Sequence, residues 1–172
     1  MGNPSDSLLK ITDKEEIRSQ LLAALTEQLT VLRRAVETLV DATTHTDARS
    51  EGKYDTRAIE SGYMAGAQAE RLQKLERTVQ YITQVPLPLL PADQPVKAAS
   101  LVTVKFAADN RVVHYFLLDN VGGLEVTIAG QKVAGITPES NLGEELLGAY
   151  EGDEVSFRIG DKEREATIIH VC

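Results

Sequence analysis

Apolar residues between Ile17 and Leu39 recur at helical spacing: Ile17, Leu21, Leu25, Leu29, Leu32, Val36 and Leu39. From Leu25 the steps alternate four and three, which is a heptad seam. Neither Gly nor Pro interrupts the stretch, so one long helix is expected over residues 13–48. Asp13 is the expected N-cap, with Glu15 and Glu16 in the first turn, where the helix dipole favours acids. A second helix is expected from about Thr56 to Thr83. Its seam is strong at Leu72, Leu75, Val79 and Ile82, and the same frame read backward lands on Gln68, Ala65, Ser61 and Ala58. Half of that seam is therefore small or polar. The connection is short and centred on residues 51–55, with Gly52 suited to a helix C-cap. Short connections make helices antiparallel neighbours. About 35 residues at ~1.5 Å rise give an arm of roughly 50 Å. Such a hairpin serves either as a dimerisation arm or as a probe that carries its tip to a distant site.

The period changes after a proline-rich stretch. Pro86, Pro88, Pro91 and Pro95 fix φ and remove backbone donors, so residues 86–96 read as an extended linker. Beyond it, Val102, Val104 and Phe106 alternate with Leu101, Thr103 and Lys105. Further strands are expected at Val112–Leu118, at Leu124–Ile128, through Val155, Phe157 and Ile159 on one face, and at Glu163–Val171. Turns fall at residues 119–123 and 160–162. One short helix is expected, with Ser140 as N-cap, Leu142, Leu146 and Leu147 on its buried side, and Gly148 as its stop. The fold class is α+β: residues 1–85 form a long antiparallel coiled-coil hairpin with its tip near 51–57, and residues 97–172 form a small, mostly antiparallel β domain with one short helix.

Charge narrows the partner. The net charge is −8, from 18 basic and 26 acidic residues. Residues 1–85 carry 11 basic and 13 acidic groups, and residues 86–172 carry seven and 13. Phosphate backbones are bound through clusters of Lys and Arg, so direct DNA or RNA binding is disfavoured and a protein partner fits better. Aromatic content is only 5%, which suits a coiled coil packed by Leu, Ile and Val. Cys172 is the one cysteine, which excludes an intramolecular disulfide and agrees with a reducing compartment. No signal peptide is visible in residues 1–20, and no apolar run has membrane-spanning length. A cytoplasmic location is expected. His45, His114 and His170 are scattered without ligand spacing. No Ser-His-Asp or Cys-His arrangement is visible.

The segment from Ile136 to Val155 carries a resemblance. Ser140, the run Leu146-Leu147-Gly148 and the turn Gly152-Asp153-Glu154-Val155 fall in the order found in the C-terminal domain of Gre transcription factors. The preceding hairpin resembles the family's N-terminal coiled coil in order, length and linker position. The resemblance covers roughly residues 12–172. It implies an FKBP-like C-terminal domain without isomerase activity, seated at the rim of the secondary channel of RNA polymerase. It implies a hairpin that passes down the channel, where tip carboxylates help hold a second metal ion while the polymerase hydrolyses backtracked RNA. Hard Mg²⁺ takes oxygen ligands, and two metals stabilise both attacking and leaving oxygens.

The tip departs from the family pattern. Ala48-Arg49-x-x-Gly52 resembles the run before the family's acidic tip, but Lys53 stands where an Asp is expected and Thr56 where a Glu is expected. The remaining candidate acids are Asp55 at the apex, flanked by Glu51 and Glu60, with Asp47 nearby. These acids either face a polymerase-bound magnesium or pair with Arg49, Lys53 and Arg57 on a solvated tip. Lys53, Tyr54 and Arg57 are the candidate partner contacts. The resemblance implies no intrinsic catalysis and no cofactor beyond Mg²⁺ shared with RNA polymerase. The expected function is an RNA polymerase-binding elongation factor that stimulates transcript cleavage. The alternatives are a secondary-channel regulator without cleavage activity and a self-associating coiled-coil scaffold; a monomer that neither enters membranes nor reads DNA sequence is expected.

Overall fold

The computed structural model describes residues 13–47, 56–88, 90–91 and 93–172, with the backbone alone at residues 13, 42–47, 56–59 and 61. The heptad pattern forms the two expected helices, α1 (Asp13–Asp47) and α2 (Thr56–Gln84). In α1 the seam residues Ile17, Leu21 and Leu25 are buried, and Leu29, Leu32, Val36 and Leu39 are half-buried between exposed neighbours. Among the described side chains of α2, reduced exposure falls at Ala65, Gln68, Ala69, Leu72, Leu75, Val79 and Tyr81, and Thr78 and Ile82 are buried. The predicted frame is thus followed at its described positions, and the side chains of Ala58 and Ser61 lie outside the described residues. Arg33 of α1 pairs with Glu76 of α2 at 2.8 Å, which ties the helices together on their exposed flank. The hydroxyls of Thr30, Thr38, Thr78 and Thr83 each donate to the carbonyl four residues earlier, so these threonines satisfy themselves within the helix.

The chain divides into two compact units. One is helical, Leu22–Gln84; the other joins Val85–Cys172 with the start of α1 through Leu21. The described residues of the stretch 86–96, expected as a linker, therefore belong to the sheet unit. Leu90 and Val96 are buried in its core, and Val96 exchanges backbone hydrogen bonds with Ala149 and Gly148 at 2.8 Å each. Lys14 is almost wholly buried and donates its Nζ to the Pro88 carbonyl at 3.0 Å. Burial pulls its pKa below the usual lysine value, an effect partly offset by Cys172 and reinforced by Lys97.

The sheet unit has six strands: β1 (Leu101–Phe106), β2 (Val112–Leu117), β3 (Glu125–Ile128), β4 (Gln131–Ile136), β5 (Glu154–Ile159) and β6 (Lys162–Val171). A short helix, α3 (Asn141–Leu146), lies between β4 and β5 in the chain. The spatial order is β3-β4-β2-β1-β6-β5, antiparallel except for the parallel pair β2·β4. Strand β4 was absent from the sequence-based expectation. Its residues Gln-Lys-Val-Ala-Gly-Ile are poor strand formers apart from Val133 and Ile136. Pairing on both sides makes the strand: Val133 stands between His114 of β2 and Val126 of β3. Gly135 is required there, because a Cβ would lie 2.5 Å from the Val121 carbonyl oxygen.

One face of the sheet packs Val102, Val104, Phe106, Phe157 and Ile168 against Leu142 and Leu146 of α3. Phe106 and Phe157 meet edge to face with centroids 6.0 Å apart. The alternate positions Leu101, Thr103, His114, Phe116 and Val133 are buried as well. The centre of the sheet is thus buried on both faces, and in β1 only Lys105 is exposed. Ile159, on the same face as the buried Val155 and Phe157, is 58% exposed, because β5 ends there in the turn at Gly160. One expectation is corrected: Leu147, expected on the buried side of α3, is 49% exposed.

Candidate functional site

The segment from Ile136 to Val155 is built by three local devices. Ser140, in extended backbone, accepts a hydrogen bond from the Gly143 amide at 3.0 Å and donates its own hydroxyl to the Thr137 carbonyl at 2.7 Å. The cap thus grips both the first turn of α3 and the chain before it. Gly143 sits where a Cβ would lie 2.0 Å from the Thr137 carbonyl oxygen, so glycine alone lets the strand exit pass this close to the helix. The helix stops at Leu147, whose extended backbone takes it off the buried stripe, and Gly148 follows at φ 85°.

The next turn is tied at both ends. Gly152 has φ 97° and donates to the Ile168 carbonyl at 2.8 Å. Asp153 accepts from the Tyr150 amide through its carboxylate at 2.8 Å, and its carbonyl accepts from the Ile168 amide at 2.9 Å. These bonds fix where β5 begins. They leave Leu147 and Tyr150 each 49% exposed, beside Glu144, Glu145, Glu151 and Glu154 on the surface.

Behind this segment runs a polar row that spacing alone did not disclose. Thr103 of β1 stands opposite His114 of β2 and His170 of β6, where the β1·β6 register shifts. The Thr103 hydroxyl and His114 Nδ1 are 2.9 Å apart and buried. Burial lowers the His114 pKa, and the neighbouring His170 lowers it further. His170 Nδ1 lies 3.5 Å from Glu151 Oε2, which joins the row to the turn that carries Tyr150. On the far side of the sheet, the hydrogen bond from Lys132 to Glu125, 2.6 Å long, raises the lysine's pKa.

Among the expected hairpin candidates, Glu60 lies on α2 and is exposed. Arg57 belongs to the first turn of α2, with its side chain outside the described residues. Glu51, Lys53, Tyr54 and Asp55 also lie outside them, as do Gly52 and the side chains of Asp13, His45 and Asp47. Among the described residues, no group of three or more His, Cys, Asp or Glu side chains could hold a metal ion. Glu60 supplies a single carboxylate, so any metal it meets needs further ligands from elsewhere. No helix among the described residues is long and apolar enough to cross a membrane.

The fold and site thus define an α+β chain: an ion-paired pair of long helices, then a mixed six-stranded sheet with a capped helix and a tied turn. No protein-family model matches the sequence, and no curated protein matches it. Solved structures similar in arrangement include GreA factor homolog 1 of Thermus thermophilus, 16% identical, covering 88% of this chain and 94% of that one, with a TM-score of 0.38. The corresponding Thermus aquaticus protein is 15% identical, covering 87% and 92%, at 0.37. The transcription elongation factor GreA/GreB of Nitrosomonas europaea is 20% identical, covering 60% and 92%, at 0.36. Superpositions this loose do not equate residues, so no site is carried over from them.

Proposed function

We propose that this chain is an RNA polymerase-binding transcription elongation factor that acts through the secondary channel. In this reading the sheet unit docks at the channel rim and the helical pair is the inserted element. The supporting observation is the segment Ile136–Val155. Four of the residues that carry the Gre resemblance have a matching physical role: Ser140 caps α3, Gly148 follows its end at positive φ, and Gly152-Asp153 ties the entry to β5. The chain brings no catalysis of its own. Asp55, with Glu51 and Glu60, donates carboxylate ligands to magnesium held by the polymerase, and Lys53, Tyr54 and Arg57 contact the channel. Oxygen ligands suit that ion.

The first test is retention of core RNA polymerase by the purified chain; a chain that does not bind it overturns the reading. The second is transcript hydrolysis in stalled elongation complexes. Asp55→Ala and Glu60→Ala are expected to lower its rate, and unchanged rates remove those two roles. A specific observation supports a second reading, in which the chain regulates initiation or pausing without cleavage: Lys53 and Thr56 stand where the resemblance expects acids. Polymerase binding with altered pausing and no RNA hydrolysis selects it.

A further inference from the structure

Gly62 and Gly66 lie inside α2, four residues apart and so on one face of the helix. Glycine is a poor helix former, because its backbone loses more conformational freedom than that of any other residue. Buried helical glycines usually have a reason, such as the close approach of another backbone. Among the described residues no such approach is found: a Cβ built at either position meets nothing within 4 Å. Neighbouring side chains do not compensate. Tyr63 is 77% exposed and Met64 58%, Ala67 is exposed, and the half-buried positions in this stretch are the small or polar Ala65, Gln68 and Ala69. Beyond Leu72 the same helix has Leu75, Val79 and Ile82 on its seam and no glycine. One continuous helix therefore contains a weakly held half and a firmly held half.

We propose that residues 60–69 of α2 form a built-in joint, a stretch that unwinds and rewinds while residues 72–82 stay helical. The two glycines lower the cost of opening, and the small seam residues lower the packing lost when it opens. Tyr63 and Met64 ride on the joint, so a partner that grips them acts on the balance between its wound and unwound forms. This inference rests on the helix alone and stands or falls independently of the polymerase reading.

Amide hydrogen exchange on the full chain, resolved by residue, tests it. In the wild type, amides between Gly62 and Ala69 are expected to exchange on the order of 25-fold faster than those between Leu75 and Ile82, about fivefold for each glycine. The double variant Gly62→Ala/Gly66→Ala should slow the first group by a similar factor and leave the second unchanged. Ala67→Gly should speed the first group about fivefold. Uniform protection along α2 in the wild type overturns the joint. So does a double variant that slows both groups equally, since that reports whole-chain stability, or one that slows neither.

Discussion

His114 shows how a single residue's environment becomes a property of the fold. Its ring is 4% exposed, hydrogen-bonded to Thr103, and faced by His170, which itself stands near Glu151. Burial, with His170, lowers its pKa, so the folded chain binds this proton less readily than the unfolded chain. The stability that follows is intact above about pH 6.5, the ordinary histidine value, and is lost as pH falls from there toward the depressed folded value. Urea unfolding of the wild type should show a lower midpoint at pH 5.5 than at pH 7.5. His114→Asn, which keeps an acceptor near Nδ1 and removes the titration, should show a smaller loss; equal losses in both proteins would exclude the linkage. None of this was legible in the sequence. His114 and His170 are 56 positions apart and look scattered, and only the pairing of β1 with both β2 and β6 places Thr103 between them.

Elements were legible to the degree that their own residues determine them. The α1 and α2 seams could be read residue by residue, because heptad spacing and packing coincide in a helical pair. The α3 cap and stop were equally readable, since Ser140 and Gly148 act on their own backbone. Their contributions are measurable. Ser140→Ala should cost about 1 kcal/mol of stability. Gly143→Ala should cost about 3 kcal/mol or more, because its Cβ would overlap the Thr137 carbonyl. Chemical denaturation of the two variants checks the order, and a Gly143→Ala change milder than Ser140→Ala would refute the close-approach argument. Strand β4 was not legible because neighbours, not propensity, make it a strand, and Gly135 reads as a breaker until Val121 is seen against it. The proline run was misleading for a related reason. Prolines give up their own amides, but Leu90 and Val96 between them supply apolar surface to the core. The candidate site was legible only in part: Ser140, Gly148, Gly152 and Asp153 took the expected cap, stop and turn positions and Leu147 did not keep to the buried side, whereas most of the hairpin acids lie outside the described residues.

Charge acts at the scale of the whole molecule. Of the net −8, residues 86–172 contribute the larger share, with 13 acids against seven basic groups. The exposed Glu144, Glu145, Glu151 and Glu154 lie in the same segment as the exposed Leu147 and Tyr150. A surface of this sign repels phosphate backbones and draws basic protein surfaces toward it, and the attraction acts mainly on the rate of encounter. Two consequences follow. Duplex DNA should not be retained by the chain at about 0.15 M salt, where charges more than roughly 8 Å apart are screened and the sequence has no basic run to offset the repulsion. Association with the proposed polymerase partner should slow several-fold between about 0.05 M and 0.5 M salt, with dissociation changing far less, because steering acts on encounter whereas short-range contacts hold the formed complex. Stopped-flow or surface-based kinetics separates the two rates. Reversing Glu144 and Glu145 to Lys should lower the association rate and flatten its salt dependence. An association rate indifferent to both salt and charge reversal would mean that the acidic surface keeps the chain soluble and steers nothing.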